Sequence, residues 1–442
     1  MKLMNYSIIQ RDDDGFARFV FDGDLPEGYD GERIVTRVIR EEDNLVVLNW
    51  QECRIDNGKW MNNLVIPEGG LYRIEAMFVP KGSSANWGRR IRCLYHVGVG
   101  DIYITAGQSN MTGYGRDIAV DPPQLGVHAY YNYGSWDVAA HPLGCAAGSL
   151  YDHCDGSSET SPALSFGRHL ANHLHIPIGL IPAAIGGSPL KVWKPDEDAW
   201  AWKQILDRLE TVGKVKGIIW SQGCTDANPN DAEGYYDRFK KAVELWREAL
   251  GDVPVLTIQA NRGAKTDDPD GIDGMKWWGI VRDAQRKAAL TIPGVYCVPA
   301  YDLPTSDGIH NASGSNVILG ERLANAALVG IYGQLGRTPV AVVNCEWEDE
   351  THVRVNLTPD HPMAVMDGTA YEMIVEDEEG TTDCVSSRGD YQSLIVETAR
   401  PYKLPAKFSF SWRIHPAMFF PREQNGMPLL TCYGVEIEMP KD

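Results

Sequence analysis

The chain is predicted to be an α/β protein: a central three-layer α/β/α domain on a parallel sheet, flanked by an N-terminal and a C-terminal β-sandwich-like region. Three observations carry this expectation. Between about residues 100 and 335 short apolar runs alternate with amphipathic helical stretches, the mark of βαβ units. Residues 1–97 show period-two alternation in runs separated by turn-rich pieces, the rhythm of an all-β sandwich. After Gly336 the helical period stops and strand-like runs return. The expected domains are therefore 1–97, 98–336 and 337–442.

In the first region FARFVF (16–21), RIVTRVIR (33–40), NLVVLNW (44–50) and LYRIEAMF (71–78) each read as a half-buried strand. DGDLPEGYDGE and IPEGG supply Gly, Pro and Asp where the chain must turn. The central strands are DIYITA (101–106), IGLIPAA (178–184), KGIIWS (216–221), VPVLTIQA (253–260) and VYCVPA (295–300). A helix opens at Ser161 with Pro162 behind it, the cap-then-proline start, and runs on as ALSFGRHLANHLH. AEGYYDRFKKAVELWREAL (232–250), MKWWGIVRDAQRKAAL (275–290) and GSNVILGERLANAALVGIYG (314–333) read as the other helices. Right-handed crossovers then give the layered domain and put its ligand site at the carboxyl ends of the strands. HVRVNL, YEMIVEDEEG, SLIVET, KFSFSW and GVEIEM read as strands of the last region, which either folds alone or completes the N-terminal sandwich.

Composition narrows the function classes. The 60 acidic and 41 basic residues give a net charge of −19, spread along the chain, which repels nucleic acid and anionic lipid and favours a neutral partner. No run approaches the roughly 20 apolar residues of a membrane helix. Nine cysteines, an odd number without a C-x-x-C pair, fit reduced thiols better than a disulfide framework. MKLMNYSIIQRDDDG lacks the apolar core of a secretory signal, so a cytoplasmic protein is expected.

Four features fall at the carboxyl ends of the expected strands. Ser109 follows DIYITA in GQSNM, where a turn into a helix exposes its hydroxyl and leaves its N–H free to hold an oxyanion. Gly186 and Gly187, in LIPAAIGGSPL, let the backbone approach a ligand. Gln222, in WSQGCTDA (220–227), can donate a side-chain amide hydrogen. Asp307 and His310, in DGIH, lie three residues apart on one side of a turn, so the carboxylate can orient the imidazole. Alone, the serine reads as a helix cap, the glycines as a turn, and the Asp–His pair as coincidence. Their shared edge points instead to a nucleophile, a base with its orienting acid, and oxyanion donors.

GQSNM, GG, QG and DGIH, in that order, resemble the blocks of SGNH hydrolases, and in detail those of sialate O-acetylesterase-like carbohydrate esterases, over roughly residues 100–330. DGIHNASGSNVILGERLANAAL is similar to the family's last block with its helix, and KWMNNLVIPEGGLYRIE, LPAKFSFSWRIHP and GMPLLTCYGVEI resemble, more loosely, the β regions around the catalytic domain. The resemblance implies a flavodoxin-like SGNH fold. It also implies Ser109 as nucleophile, His310 as general base and acid, and Asp307 as its partner. The implied oxyanion donors are the Ser109 N–H, a glycine N–H at 186 or 187, and the Gln222 side chain. Gln108, Asn110 and Trp193 are assigned to substrate, the last because an aromatic face stacks on sugar C–H surfaces, with packing in the core as the equal alternative for it. The implied reaction is hydrolysis of acetyl esters on mono- or oligosaccharides. It needs no metal or organic cofactor, no nucleic acid and no membrane, and it leaves a homo-oligomer open.

Two other classes compete: a glycan-binding protein with a decayed site, and an SGNH esterase acting on lipid or thioester substrates. Retention of Ser109, His310 and Asp307 argues against the first, and the lack of an apolar lid against the second. The sequence departs from the family at one place: Cys224, Thr225 and Asp226 stand where relatives usually carry a glutamate after QG. The orienting task then rests on Asp307 or passes to Asp226, and Cys224 reads as a small buried residue. HPLGCAAGSLYDHC (141–154) fits no zinc spacing, and TDDPDGIDG (266–274) lacks the distal glutamate of a calcium loop. His128 is a weaker candidate for the pocket wall.

Overall fold

A computed structural model describes residues 1–440 except 28, 30, 85–87, 145–146, 152–158, 264–271, 337, 359–362, 365–369, 371, 417–421 and 424–426. The chain opens with β1 (Ile8–Gln10), β2 (Phe16–Asp24), β3 (Arg33–Arg40), β4 (Val46–Glu52), β5 (Arg54–Asp56), β6 (Lys59–Pro67), β7 (Gly69–Val79) and β8 (Arg89–Gly107). Strands β2, β6 and β5 form one sheet, while β4, β3, β7 and the first part of β8 pair antiparallel in another. The inward residues of both sheets, among them Phe21, Trp60 and Ile66 from one and Ile34, Val38 and Ile74 from the other, share one core. Every second residue of β2 is buried from Ala17 to Phe21, as a two-residue repeat against a single core requires.

β8 does not stop where the expected domain boundary lies. Its 19 residues run antiparallel to β7 in the first part and parallel to β11 and β12 in the second. The boundary placed at 97/98 therefore cuts a strand. The sequence pattern changes there because one face of β8 is open to solvent up to about His96, whereas both faces are covered from Val97 onward.

The central sheet continues with β9 (Val127–Tyr130), β10 (Trp136–Val138), β11 (Ile178–Pro182), β12 (Gly217–Ser221), β13 (Val255–Ile258) and β14 (Val295–Val298), in the order β10-β9-β11-β8-β12-β13-β14. All neighbours are parallel except β10 against β9. The helices are α1 (Ser109–Thr112), α2 (Pro162–Leu174), α3 (Trp200–Val212), α4 (Tyr235–Leu250), α5 (Ile272–Thr291) and α6 (Ser313–Gly330). Ile104, Ile218 and Trp220 pack with Ile205, Phe239 and Val281 of α3, α4 and α5. The alternate residues Tyr103 and Ile219 pack with Phe166 and Leu323 of α2 and α6. Ser161 caps α2 by accepting from the Ala163 N–H, with Pro162 in the first turn, as its sequence predicts. Helix α3 is absent from the sequence reading because the chain enters it at Ala199 in the left-handed region, without a side-chain cap.

The last region is a closed barrel rather than half of a sandwich. It uses β15 (Val342–Trp347), β16 (His352–Leu357), β18 (Met373–Asp377), β19 (Gly380–Asp390), β20 (Ser393–Thr398), β21 (Lys407–Phe410) and β23 (Cys432–Glu438), with β17 (Met363–Ala364) and β22 (Arg422–Glu423) pairing apart. Closure comes from the parallel pair β15 and β23, which no local turn signals. This barrel seats on α5: Arg282 of that helix donates to the Ser411 and Arg413 carbonyls, and Arg286 to the Val342 carbonyl. The protein is thus an α/β chain with mixed sheets and a seven-stranded C-terminal barrel.

Candidate active site

The strands of the central sheet deliver polar groups just past their carboxyl ends. Gly107 ends β8 at φ +118, and a Cβ there would lie 2.2 Å from the Ser221 carbonyl oxygen, so glycine alone lets β8 and β12 run this close. The Gln108 N–H then donates to Ser221 O at 2.8 Å, and the chain turns into α1 with Ser109 in its first position. On the other side the Ile185 N–H and the Ser188 hydroxyl both donate to the Gly107 carbonyl. That brings the segment holding Gly186 and Gly187 alongside the serine turn. Gly187, at φ +66, is exposed, with open space where a side chain would be.

The loop after β14 supplies the partner groups. His310 Nε2 lies 3.0 Å from Ser109 Oγ, and its Nδ1 lies 2.8 Å from Asp307 Oδ2. The other Asp307 oxygen accepts from the Ile309 and His310 N–H groups at 2.9 and 2.8 Å. Burial pushes this carboxyl upward, but the hydrogen bonds from the His310 ring and the two N–H groups outweigh it and bring the carboxyl down to about 2. An ionised Asp307 accepts the Nδ1 proton, which leaves Nε2 as the acceptor for the Ser109 hydroxyl. Ser109 itself is 9% exposed, so the hydroxyl sits at the floor of the edge rather than on open surface.

Several sequence assignments are corrected by these surroundings. The Gln222 side chain is buried, and its Nε2 donates to Asp226 Oδ2 and to the Ser188 carbonyl. Both amide hydrogens are committed, so Gln222 braces the loop instead of offering an oxyanion donor. Asp226 is equally occupied. Burial raises its carboxyl, while the Leu190 N–H, Gln222 and Arg238 oppose that shift, and the residue takes no part in orienting His310. Trp193 is 0% exposed: its ring packs edge-on against Trp220 and its Nε1 donates to Ser188, so it belongs to the core and offers no face to a sugar. Gln108 and Asn110 are also turned inward. Gln108 Oε1 accepts from the Gly223 N–H at 3.0 Å, and Asn110 Oδ1 accepts from the Asn311 N–H at 2.9 Å. His128 is fully buried; burial lowers its ring to about 4, and its Nδ1 bonds the Tyr6 carbonyl, well away from the triad. The sulfur of Cys224 faces Asn261, and burial pushes the thiol up to about 12, which keeps it protonated at neutral pH. Parts of the 141–154 and 266–274 stretches lie outside the described residues, and no group of metal-ligating side chains occurs among those described.

The family profile described as "Carbohydrate esterase, sialic acid-specific acetylesterase" matches residues 99–329, just over half of the chain and the whole segment from Ser109 to His310. The chain belongs to this family. A probable carbohydrate esterase of Arabidopsis thaliana is 27% identical over 257 residues, 51% of this chain and 90% of that protein. Human sialate O-acetylesterase is 29% identical over 108 residues, which span 19% of this chain and 20% of that enzyme. A solved structure described as a carbohydrate acetylesterase from Xanthomonas citri covers 97% of both chains with a TM-score of 0.68; at 19% identity this likeness speaks to the fold alone.

Several residues that the motifs do not single out brace the loop that carries His310. Asn261, past the end of β13, donates from Nδ2 to the Ile309 carbonyl at 2.8 Å and to Asn311 Oδ1 at 2.7 Å. Ser306 donates its N–H to the His310 carbonyl at 2.8 Å and its hydroxyl to the Tyr114 carbonyl at 3.2 Å. The Tyr114 ring stacks on the His310 imidazole, with centroids 4.7 Å apart and planes 20° from parallel. The position of Asn261, three residues past a buried strand on the chemical edge, is the one sequence signal that points to it. The Tyr114 stack has no such signal, because its partner lies 196 positions later in the chain.

Proposed function

We propose that the protein is a carbohydrate O-acetylesterase whose SGNH-type domain is a three-layer α/β/α unit, and that Ser109 is its nucleophile. The observation that carries the reading is the unbroken hydrogen-bond chain from Asp307 through His310 to Ser109. His310 Nε2 takes the Ser109 proton as Oγ attacks the acetyl carbonyl, and the carbonyl electron pair moves onto oxygen. The Ser109 N–H, which has no partner among the described residues, and the N–H of Gly186 or Gly187 receive that oxyanion. On collapse the C–O bond to the sugar breaks, and the sugar oxygen leaves with the proton held by His310. A water then gives its proton to His310 and its oxygen to the acetyl carbon. Acetate leaves, and the proton returns to Ser109. Throughout, Asp307 stays ionised and balances the imidazolium.

An acetate-release assay over acetylated xylo-oligosaccharides, manno-oligosaccharides and sialic acids tests the reading, with Ser109→Ala as the control. Acetate release that disappears in the variant is expected, and wild-type turnover by Ser109→Ala would overturn it. Labelling of Ser109 by a fluorophosphonate separates an esterase from a glycan-binding protein with a decayed site, since a dead serine does not react.

A further inference from the structure

We infer that Tyr114 is a positioning residue for the base of this reaction: its ring face holds the His310 imidazole in the plane that joins Asp307 to Ser109 and favours the imidazolium formed when Ser109 gives up its proton. This rests on the esterase reading above. Two hydrogen bonds fix an imidazole at Nδ1 and Nε2 but leave it free to tilt about the axis between them; a flat ring stacked 4.7 Å away removes that freedom. The same π face carries partial negative charge, so it attracts a cation placed over it more than it attracts the neutral ring.

The geometry is built in from both sides. Tyr114 lies five residues after Ser109 on the segment that leaves α1, so nucleophile and stacking ring travel on one piece of chain. That piece is tied to the histidine loop by Asn110 to the Asn311 N–H at 2.9 Å and by Ser306 to the Tyr114 carbonyl at 3.2 Å. The His310 imidazole meets Asp307 on its own loop and Ser109 and Tyr114 on the nucleophile segment, and the His310 carbonyl accepts from the Ser306 N–H at 2.8 Å. Beyond them, the Arg116 guanidinium lies 6.0 Å from the centre of the Tyr114 ring, where it competes for the π face rather than touching the imidazole.

The test compares wild type with Tyr114→Phe and Tyr114→Leu in the full chain, with the thermal midpoint checking that each folds. Turnover of 4-nitrophenyl acetate is followed against pH. Tyr114→Leu is expected to lose roughly tenfold or more in kcat with KM within about twofold, and the acid limb of kcat/KM is expected to move down by about half a pH unit, the size of an exposed cation–π contact. Tyr114→Phe is expected to keep both. The pH dependence of Ser109 inactivation by a fluorophosphonate gives the same comparison without any acetylated substrate. A wrong substrate class therefore leaves this readout intact. Tyr114→Leu with the wild-type acid limb and kcat overturns the inference, as does Tyr114→Phe damaged as badly as Tyr114→Leu; a wild-type protein that neither turns over nor labels overturns it together with the triad.

Discussion

Asp307 is the residue whose chemistry is most sharply constrained. With its carboxyl brought from 3.8 to about 2, it contributes stability that is fully present above its ordinary value and is lost only as pH falls toward 2. Asp307→Asn keeps the shape but presents an amide to Nδ1, which favours the wrong tautomer. A fall of roughly 10³–10⁴ in kcat is expected, read by steady-state kinetics, with the thermal midpoint lowered only by the few degrees that the lost carboxylate interactions imply. Cys224 makes the opposite prediction. A thiol pushed up to about 12 is no nucleophile at pH 7, so Cys224→Ser should retain activity within about twofold and iodoacetamide should leave the enzyme active. At this scale the hydrogen-bonded grouping of Asp307, His310 and Ser109 is legible in the sequence because Asp307 and His310 are local partners and Ser109 follows closely on an unmistakable strand. The role of Gln222 is not, since a side-chain amide reads as a donor until its acceptors, Asp226 and the Ser188 carbonyl, are in place. Gln222→Ala accordingly removes a partner from a buried carboxylate. We expect a loss of about 1–3 kcal/mol in denaturant unfolding in addition to any fall in rate.

Among elements, the loop between β14 and α6 matters most, and its shape depends on a different strand. Asn261 gives both amide hydrogens to that loop, one to Ile309 and one to Asn311. Asn261→Ala leaves the Ile309 carbonyl with the weaker 3.3 Å contact from Asn110 and lets the imidazole drift from Ser109. A 10- to 100-fold drop in kcat with KM little changed is the expected result, because ångström-scale misplacement of a base costs about that much. Strands flanked by Gly, Pro or Asp and the capped helix α2 are readable from composition and periodicity. Helix α3 and the barrel closure are not, because one begins without a cap and the other joins strands some ninety residues apart.

Across the whole molecule, Arg282 joins what composition divides. Its guanidinium is buried, has no carboxylate in contact among the described residues, and donates to four carbonyls: Ala260 and Asn261 on the chemical edge, Ser411 and Arg413 on the barrel. Burial disfavours its charge, and the carbonyl cage is what makes it tolerable. Arg282→Leu strips hydrogen bonds from both sides at once. We expect at least about 3 kcal/mol of lost stability by denaturant titration, with activity falling along with it because Asn261 shares the same backbone. Nothing in the sequence separates this arginine from Arg286, the other arginine of α5, since its partners come from two distant regions.

The continuity of β8 bears on how such a protein can be re-engineered. Its nineteen residues are paired in one sheet at their start, pass through His96 in the left-handed region, and carry the nucleophile turn at their end. Side chains along it alternate sides, so inserting or deleting a single residue anywhere beyond Val97 turns every later side chain over and points Ser109 away from its base. A chimera that joins a foreign N-terminal module at Gly98 therefore splices through the middle of that strand. One that keeps the chain from Arg89 onward preserves the phase of the strand, and with it the aim of the serine.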